Sequence, residues 1–113
     1  MRAKARLQAL GRLKTGAMNK TEAAYEQHLK LRQQAGEVLW YRFEGVKLRL
    51  ADNTFYTADF FVMTAAGLLE AHEVKGFWTD DARVKTKVAA DQYPFRFLGV
   101  KKAKGGGWDF EEF

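Results

Sequence analysis

The 113-residue chain has no cysteine, which excludes disulfides and thiolate-held metals. The absence suits a reducing compartment, and a cytoplasmic location is expected. Its two histidines, His28 and His72, are too few for a histidine-based zinc site unless carboxylates complete it. No apolar run approaches the length that spans a bilayer, and the charged N-terminus lacks an uninterrupted apolar segment. Neither a membrane partner nor a signal peptide is therefore expected. Acidic residues are missing from residues 1–20, which carry Arg2, Lys4, Arg6, Arg12, Lys14 and Lys20. The remaining residues hold 13 basic and 14 acidic side chains, so the net charge of +5 resides in that first segment. A basic arm on a near-neutral body points to a polyanion, and to nucleic acid before an anionic membrane surface. The aromatic residues of an interfacial helix are absent from the arm.

What is present suffices for one domain. The chain is 47% apolar with sixteen aromatic residues. The expected division is a basic arm over 1–17, a folded domain over 18–104, and a glycine-rich break with an aromatic-acidic tail over 105–113. Asn19 is a good N-cap, and Glu22 three residues later has the spacing of a capping box. The helix it opens should run from about Lys20 to Ala35 and stop at Gly36. Tyr25 and Leu29 share Glu22's side of that helix, which puts Glu22 at the edge of the buried stripe. Strands follow at Glu37–Phe43 and Val46–Leu50, a hairpin turn at 51–54, then strands at Phe55–Met63 and Leu68–Lys75. A second helix is expected from about Asp80 to Gln92, closed by Tyr93-Pro94, with Val84, Val88 and Ala89 facing the sheet. A last strand at Phe95–Val100 would then pair in parallel with Leu68–Lys75 through a crossover. The fold class is α/β (α+β), ordered helix, three-strand meander, helix, strand, with a mixed central sheet.

The chemistry centres on Glu73-Val74-Lys75. Side chains two apart on a strand share a face, so Glu73 and Lys75 would lie side by side at a strand end. The bland reading of such a pair is a solvated ion pair of little energetic weight. Asp59 is harder to dismiss, since an unpaired carboxylate in an apolar run is costly to bury. Two carboxylates and a lysine on neighbouring strands suit metal-assisted phosphodiester hydrolysis. Magnesium takes one or two carboxylates, keeps several waters, and completes its shell with phosphate oxygens. Glu22 is a candidate fourth member whose bland role is capping. Phe77 or Trp78 could stack on a base or fill a gap over the sheet. Arg83, Lys85 and Lys87, on the second helix, join the arm and Lys20 as candidate nucleic-acid contacts.

The element order, with Glu22, Asp59 and Glu73-Val74-Lys75 in sequence, resembles the PD-(D/E)xK nuclease superfamily and its restriction-endonuclease-like core. The compact form with an early glutamate is similar to phage Holliday-junction-resolving endonucleases. Asn-Lys-Thr-Glu at 19–22, Phe-Tyr-Thr-Ala-Asp-Phe at 55–60 and His-Glu-Val-Lys-Gly at 72–76 also resemble a family of small phage and prophage proteins of unknown function. Ala58 stands where the superfamily often has proline, a residue that binds nothing itself.

The resemblance implies that Asp59, Glu73, the Val74 carbonyl and Glu22 hold Mg²⁺ or Mn²⁺, with Lys75 as the catalytic lysine. It implies an endonuclease acting on branched DNA in recombination or processing, in the cytoplasm of a bacterial host. It also implies a homodimer with no small-molecule cofactor. Two other readings stay open: a nicking, flap or single-strand nuclease of the same superfamily, and a catalytically silent nucleic-acid-binding module.

Overall fold

The computed structural model describes residues 16–113. Most of the expected basic arm, with Arg2, Lys4, Arg6, Arg12 and Lys14, lies outside the described residues. Helix α1 spans Lys20–Gln34. Its capping box forms as the spacing predicts, with the Glu22 amide donating to Asn19 Oδ1 and the Asn19 amide to Glu22 Oε1. It ends in a Schellman motif. Gly36 takes φ +81°, its amide donates to the Gln33 carbonyl, and that of Glu37 donates to the Arg32 carbonyl.

The strands are β1 (Val38–Phe43), β2 (Lys47–Ala51), β3 (Thr54–Thr57), β4 (Phe60–Thr64), β5 (Leu69–Val74), β6 (Arg96–Lys102) and β7 (Trp108–Glu112). Helix α2, Asp80–Gln92, joins β5 to β6. The main sheet has the order β1-β4-β5-β6-β7. All its pairings are antiparallel except β5 with β6, which is parallel as the crossover requires. The protein is thus α+β with a mixed five-stranded sheet. The meander is β1, β4 and β5, with the β2–β3 hairpin inserted between its first two strands.

Each face of the sheet is covered. Between α1 and the sheet, Tyr25 and Leu29 pack on Val38, Phe60, Val62, Val74 and Val100. On the other face, Ala89 of α2 and Leu48 and Tyr56 of the hairpin pack with Ala58, Phe61, Ala71 and Phe97. Strand β5 is therefore buried along nearly its whole length, which removes the polar–apolar alternation of a half-exposed strand.

Two expectations are corrected. The single strand expected over Phe55–Met63 is two strands in different sheets. The chain leaves the β2–β3 hairpin at Thr57, bends at Ala58-Asp59, and enters the main sheet at Phe60. The buried face of α2 is Thr86 and Ala89, with Ala82, Ala90 and Tyr93 half-buried, whereas Val84 and Val88 are exposed. The small side chains recur at helical spacing and let the helix backbone approach the sheet. The aromatic-acidic tail docks back on the domain. Gly105, Gly106 and Gly107 adopt positive φ and turn the chain, so that Trp108–Glu112 adds to the sheet as β7.

Candidate functional site

The β4–β5 pairing brings the two acids together. Phe60 pairs with His72, so Asp59, one step before, comes beside Glu73. The Val74 amide donates to Asp59 Oδ2 at 2.7 Å, which fixes the carboxylate against the end of β5. Glu73 is only 7% exposed, so its pair with Lys75 is not a solvated surface pair. Lys75 Nζ lies 3.2 Å from Glu73 Oε2, as the two-residue spacing predicts. The other oxygen, Oε1, accepts from the Tyr56 hydroxyl at 2.8 Å. Asp59 Oδ1 accepts no hydrogen bond from the described residues.

The electrostatics follow from burial. Desolvation, followed by the Glu73 charge, pushes the Asp59 carboxyl up to about 8. The Val74 amide and the Lys75 ammonium oppose the rise, and Glu22 adds to it. Glu73 is raised by burial too, with Lys75 and Tyr56 working against that shift. Burial and Glu73 push the Tyr56 phenol up, which keeps it a donor. Two carboxylates thus share a pocket with one ammonium. A divalent cation would supply the missing positive charge, and the pair with the Val74 carbonyl matches the few oxygen ligands Mg²⁺ takes from protein.

Glu22 stands apart from the other three. It lies close enough to raise the Asp59 pKa, yet its Oε1 is held by the capping box. No group of three or more potential metal-ligating acids or histidines forms among the described residues. The geometry therefore brings together Asp59, Glu73, Val74 and Lys75, with Glu22 as a neighbour. Of the candidate nucleic-acid contacts, Lys20, Lys85 and Lys87 are exposed. Arg83 is engaged by Glu111 and lies over the rings of Trp78 and Phe113, 5.5 and 5.3 Å from their centroids.

Three features escaped sequence reading. Tyr56 orients Glu73 from the hairpin; its only sequence signal is the alternation of β3. Glu44, at φ +49°, donates its amide to the Asp59 carbonyl and holds the Gly16 amide with its side chain, at 2.7 and 2.9 Å. The arm thus joins the domain beside Asp59. On the opposite face of β5, the Tyr25 hydroxyl meets His72 Nδ1 at 2.7 Å, and His72 Nε2 meets Glu70 at 2.9 Å. Arg96 completes that chain on Glu70. Glu70 and His72 are two apart, so the rule that paired Glu73 with Lys75 also pairs them. A concavity of about 700 Å³ lies on this face beside Glu70, Arg96 and Phe110, away from the acid pair. It is a shallow depression lined by Arg32, Glu37, Glu70 and Arg96, which pair with one another across it or beside it.

No helix among the described residues is long and apolar enough to cross a membrane. No curated protein and no solved structure matches the chain. A family model described as "Protein of unknown function (DUF1064)" matches residues 16–104, which include the whole acid–lysine site, and the chain belongs to that family.

Proposed function

We propose that the chain is a Mg²⁺-dependent DNA endonuclease of PD-(D/E)xK type, with Mn²⁺ able to substitute. Its proposed substrate is branched DNA of the Holliday-junction kind, handled during phage recombination or processing in the bacterial cytoplasm. The observation that carries the reading is the buried Glu73 with the half-buried Asp59 beside it and Lys75 against it. A structural ion pair has no need of a second acid beside it, and two acids sharing one ammonium away from water are costly without a function.

Asp59 and Glu73, with the Val74 carbonyl, would hold the metal, and Glu22 would reach it through water. Bound there, Mg²⁺ supplies Lewis acidity that polarises the scissile phosphate and lowers the pKa of a coordinated water. The Val74 amide and the Tyr56 hydroxyl hold the two carboxylates in place. Lys75 orients or deprotonates the attacking water, or neutralises charge building on the phosphate. Gly16, the residue that follows the arm's last lysine by two positions, is held by Glu44, whose amide bonds the Asp59 carbonyl, and the arm's cations suit contact with the phosphate backbone. Symmetric cutting of a four-way junction needs two sites, so the active form is a homodimer.

The test is a set of labelled DNAs with Mg²⁺: four-way junction, flap, single strand and linear duplex. Wild type should cut the junction. Asp59→Ala and Lys75→Ala should bind it and leave it intact. Preferential cutting of flap or single strand would move the specificity within the same chemistry. Tight binding with no cutting by wild type would make the domain a binding module.

A further inference from the structure

The loop that follows the acid–lysine site, Gly76–Thr79, carries two aromatic residues with opposite fates. Trp78 is half-buried on the α2 face of the sheet, directly over Gly99. A Cβ at residue 99 would stand 2.7 Å from Trp78 Cζ2 and 3.0 Å from Phe113 Cε2, so the glycine makes the space the indole fills. Gly99 pairs with Glu73 in the parallel register, which places the indole on the strand next to Glu73. Phe113 packs on Trp78 with ring centroids 5.2 Å apart, and its amide is fixed to the Phe97 carbonyl at 2.9 Å. Arg83, held by Glu111, covers both rings.

The loop is anchored at its other end as well. The Lys75 amide donates to the Val100 carbonyl at 2.9 Å, and Thr79 caps α2 through the Ala82 amide at 3.2 Å. Between these anchors Phe77 is 78% exposed, the most exposed large apolar side chain among the described residues. A benzyl group has no polar tip to justify that exposure. Its backbone lies two residues from Lys75, at most about 7.6 Å away by Cα spacing.

We propose that Phe77 is a stacking residue for an unpaired nucleobase next to the phosphate engaged at Glu73 and Lys75. The inference rests on the nuclease reading of that site and names its substrate class: DNA with an unstacked base at the cutting position. Inside a duplex both faces of every base are covered by neighbours, so a protein ring has no face to meet. At a branch, flap or single strand one face is open, and an aromatic side chain can take it. The clamp on Trp78 holds the loop backbone, so the ring is presented with little ordering left to lose on binding.

The test is metal-free binding in EDTA, which separates recognition from cutting. Single-stranded, junction and linear duplex DNAs carry 2-aminopurine, whose fluorescence falls or rises as its stacking changes. Phe77→Ala should weaken binding to junction and single strand by about tenfold, abolish the fluorescence change, and leave duplex binding as it was. Phe77→Trp should restore both signals, and Phe77→Leu should restore neither. The exposed position makes misfolding of these variants a minor risk, and urea denaturation checks it. Unchanged binding by Phe77→Ala, or an equal loss on duplex, would overturn the proposal. So would a variant that loses only self-association, which would assign Phe77 to a contact between two copies of the chain. Aromatic-dependent binding by a wild type that never cuts would sink the nuclease reading and keep the stacking residue. Cutting that is indifferent to Phe77 would do the reverse.

Discussion

Replacing Asp59 by asparagine should make the metal-free protein more stable above neutral pH. The carboxyl titrates at about 3.9 in an unfolded chain, and burial with Glu73 raises it to about 8 in the folded one. The folded state therefore binds this proton more tightly than the unfolded state. The stabilisation it brings is complete below about pH 4 and is lost as pH climbs to about 8. At about 1.4 kcal/mol per pH unit the whole interval bounds the loss at about 6 kcal/mol. With the effective dielectric of a real interior, about 2–4 kcal/mol is the working figure. The side-chain amide of the Asp59→Asn variant keeps an oxygen to accept from Val74 and carries no charge. Urea denaturation of both proteins in EDTA, from pH 5 to 8.5, reads the effect. The variant's advantage should grow by about 2–4 kcal/mol across that range. Added Mg²⁺ should then stabilise wild type and not the variant. Parallel curves, or a wild type that gains on the variant as pH rises, would show that Asp59 ionises in the fold without cost. The reasoning from burial would then fail.

Further outcomes follow from the same contacts. Tyr25→Phe leaves buried His72 Nδ1 without the hydroxyl it meets at 2.7 Å, and should cost about 1–3 kcal/mol in urea denaturation. An unchanged midpoint would mean that the bond contributes nothing. Gly99→Ala forces Trp78 off the sheet and should cost about 1–3 kcal/mol, with a shift in tryptophan emission as the readout. Unaltered emission and stability would contradict the packing described. Removing residues 1–15 deletes Arg2, Lys4, Arg6, Arg12 and Lys14, and should lower the log–log salt slope of DNA binding by up to about 4.5. A slope equal to that of the full chain would exclude the arm from phosphate contact.

Local signals with a strong stereochemical cause were legible in the sequence. The Asn19–Glu22 box, the Gly36 stop and Tyr93-Pro94 set the helix ends closely, because each satisfies or removes particular backbone groups. The Asp52-Asn53 turn held for a similar reason, with Asn53 at φ +54°. What escaped was set by distant partners. Nothing local marks the break at Ala58-Asp59, since Phe55–Met63 is good strand sequence throughout; the chain changes sheets there. Val84 and Val88 look like core positions, yet the close helix–sheet approach selects Ala82, Thr86 and Ala89. Asp59, Glu73 and Lys75 could be placed together because strand period and hairpin spacing are local rules. Tyr56 and Glu44 complete their surroundings through tertiary contacts that no spacing announces.

The central claim is that Asp59, Glu73 and Lys75 form a metal-dependent phosphodiester-hydrolysing site. Its most direct test is a labelled four-way junction with Mg²⁺, wild type and Glu73→Ala side by side, with the ends of the products identified. Paired symmetric cuts, absent with the variant, are the expected result. No cutting by wild type with Mg²⁺ or Mn²⁺, despite tight binding of the junction, would contradict it.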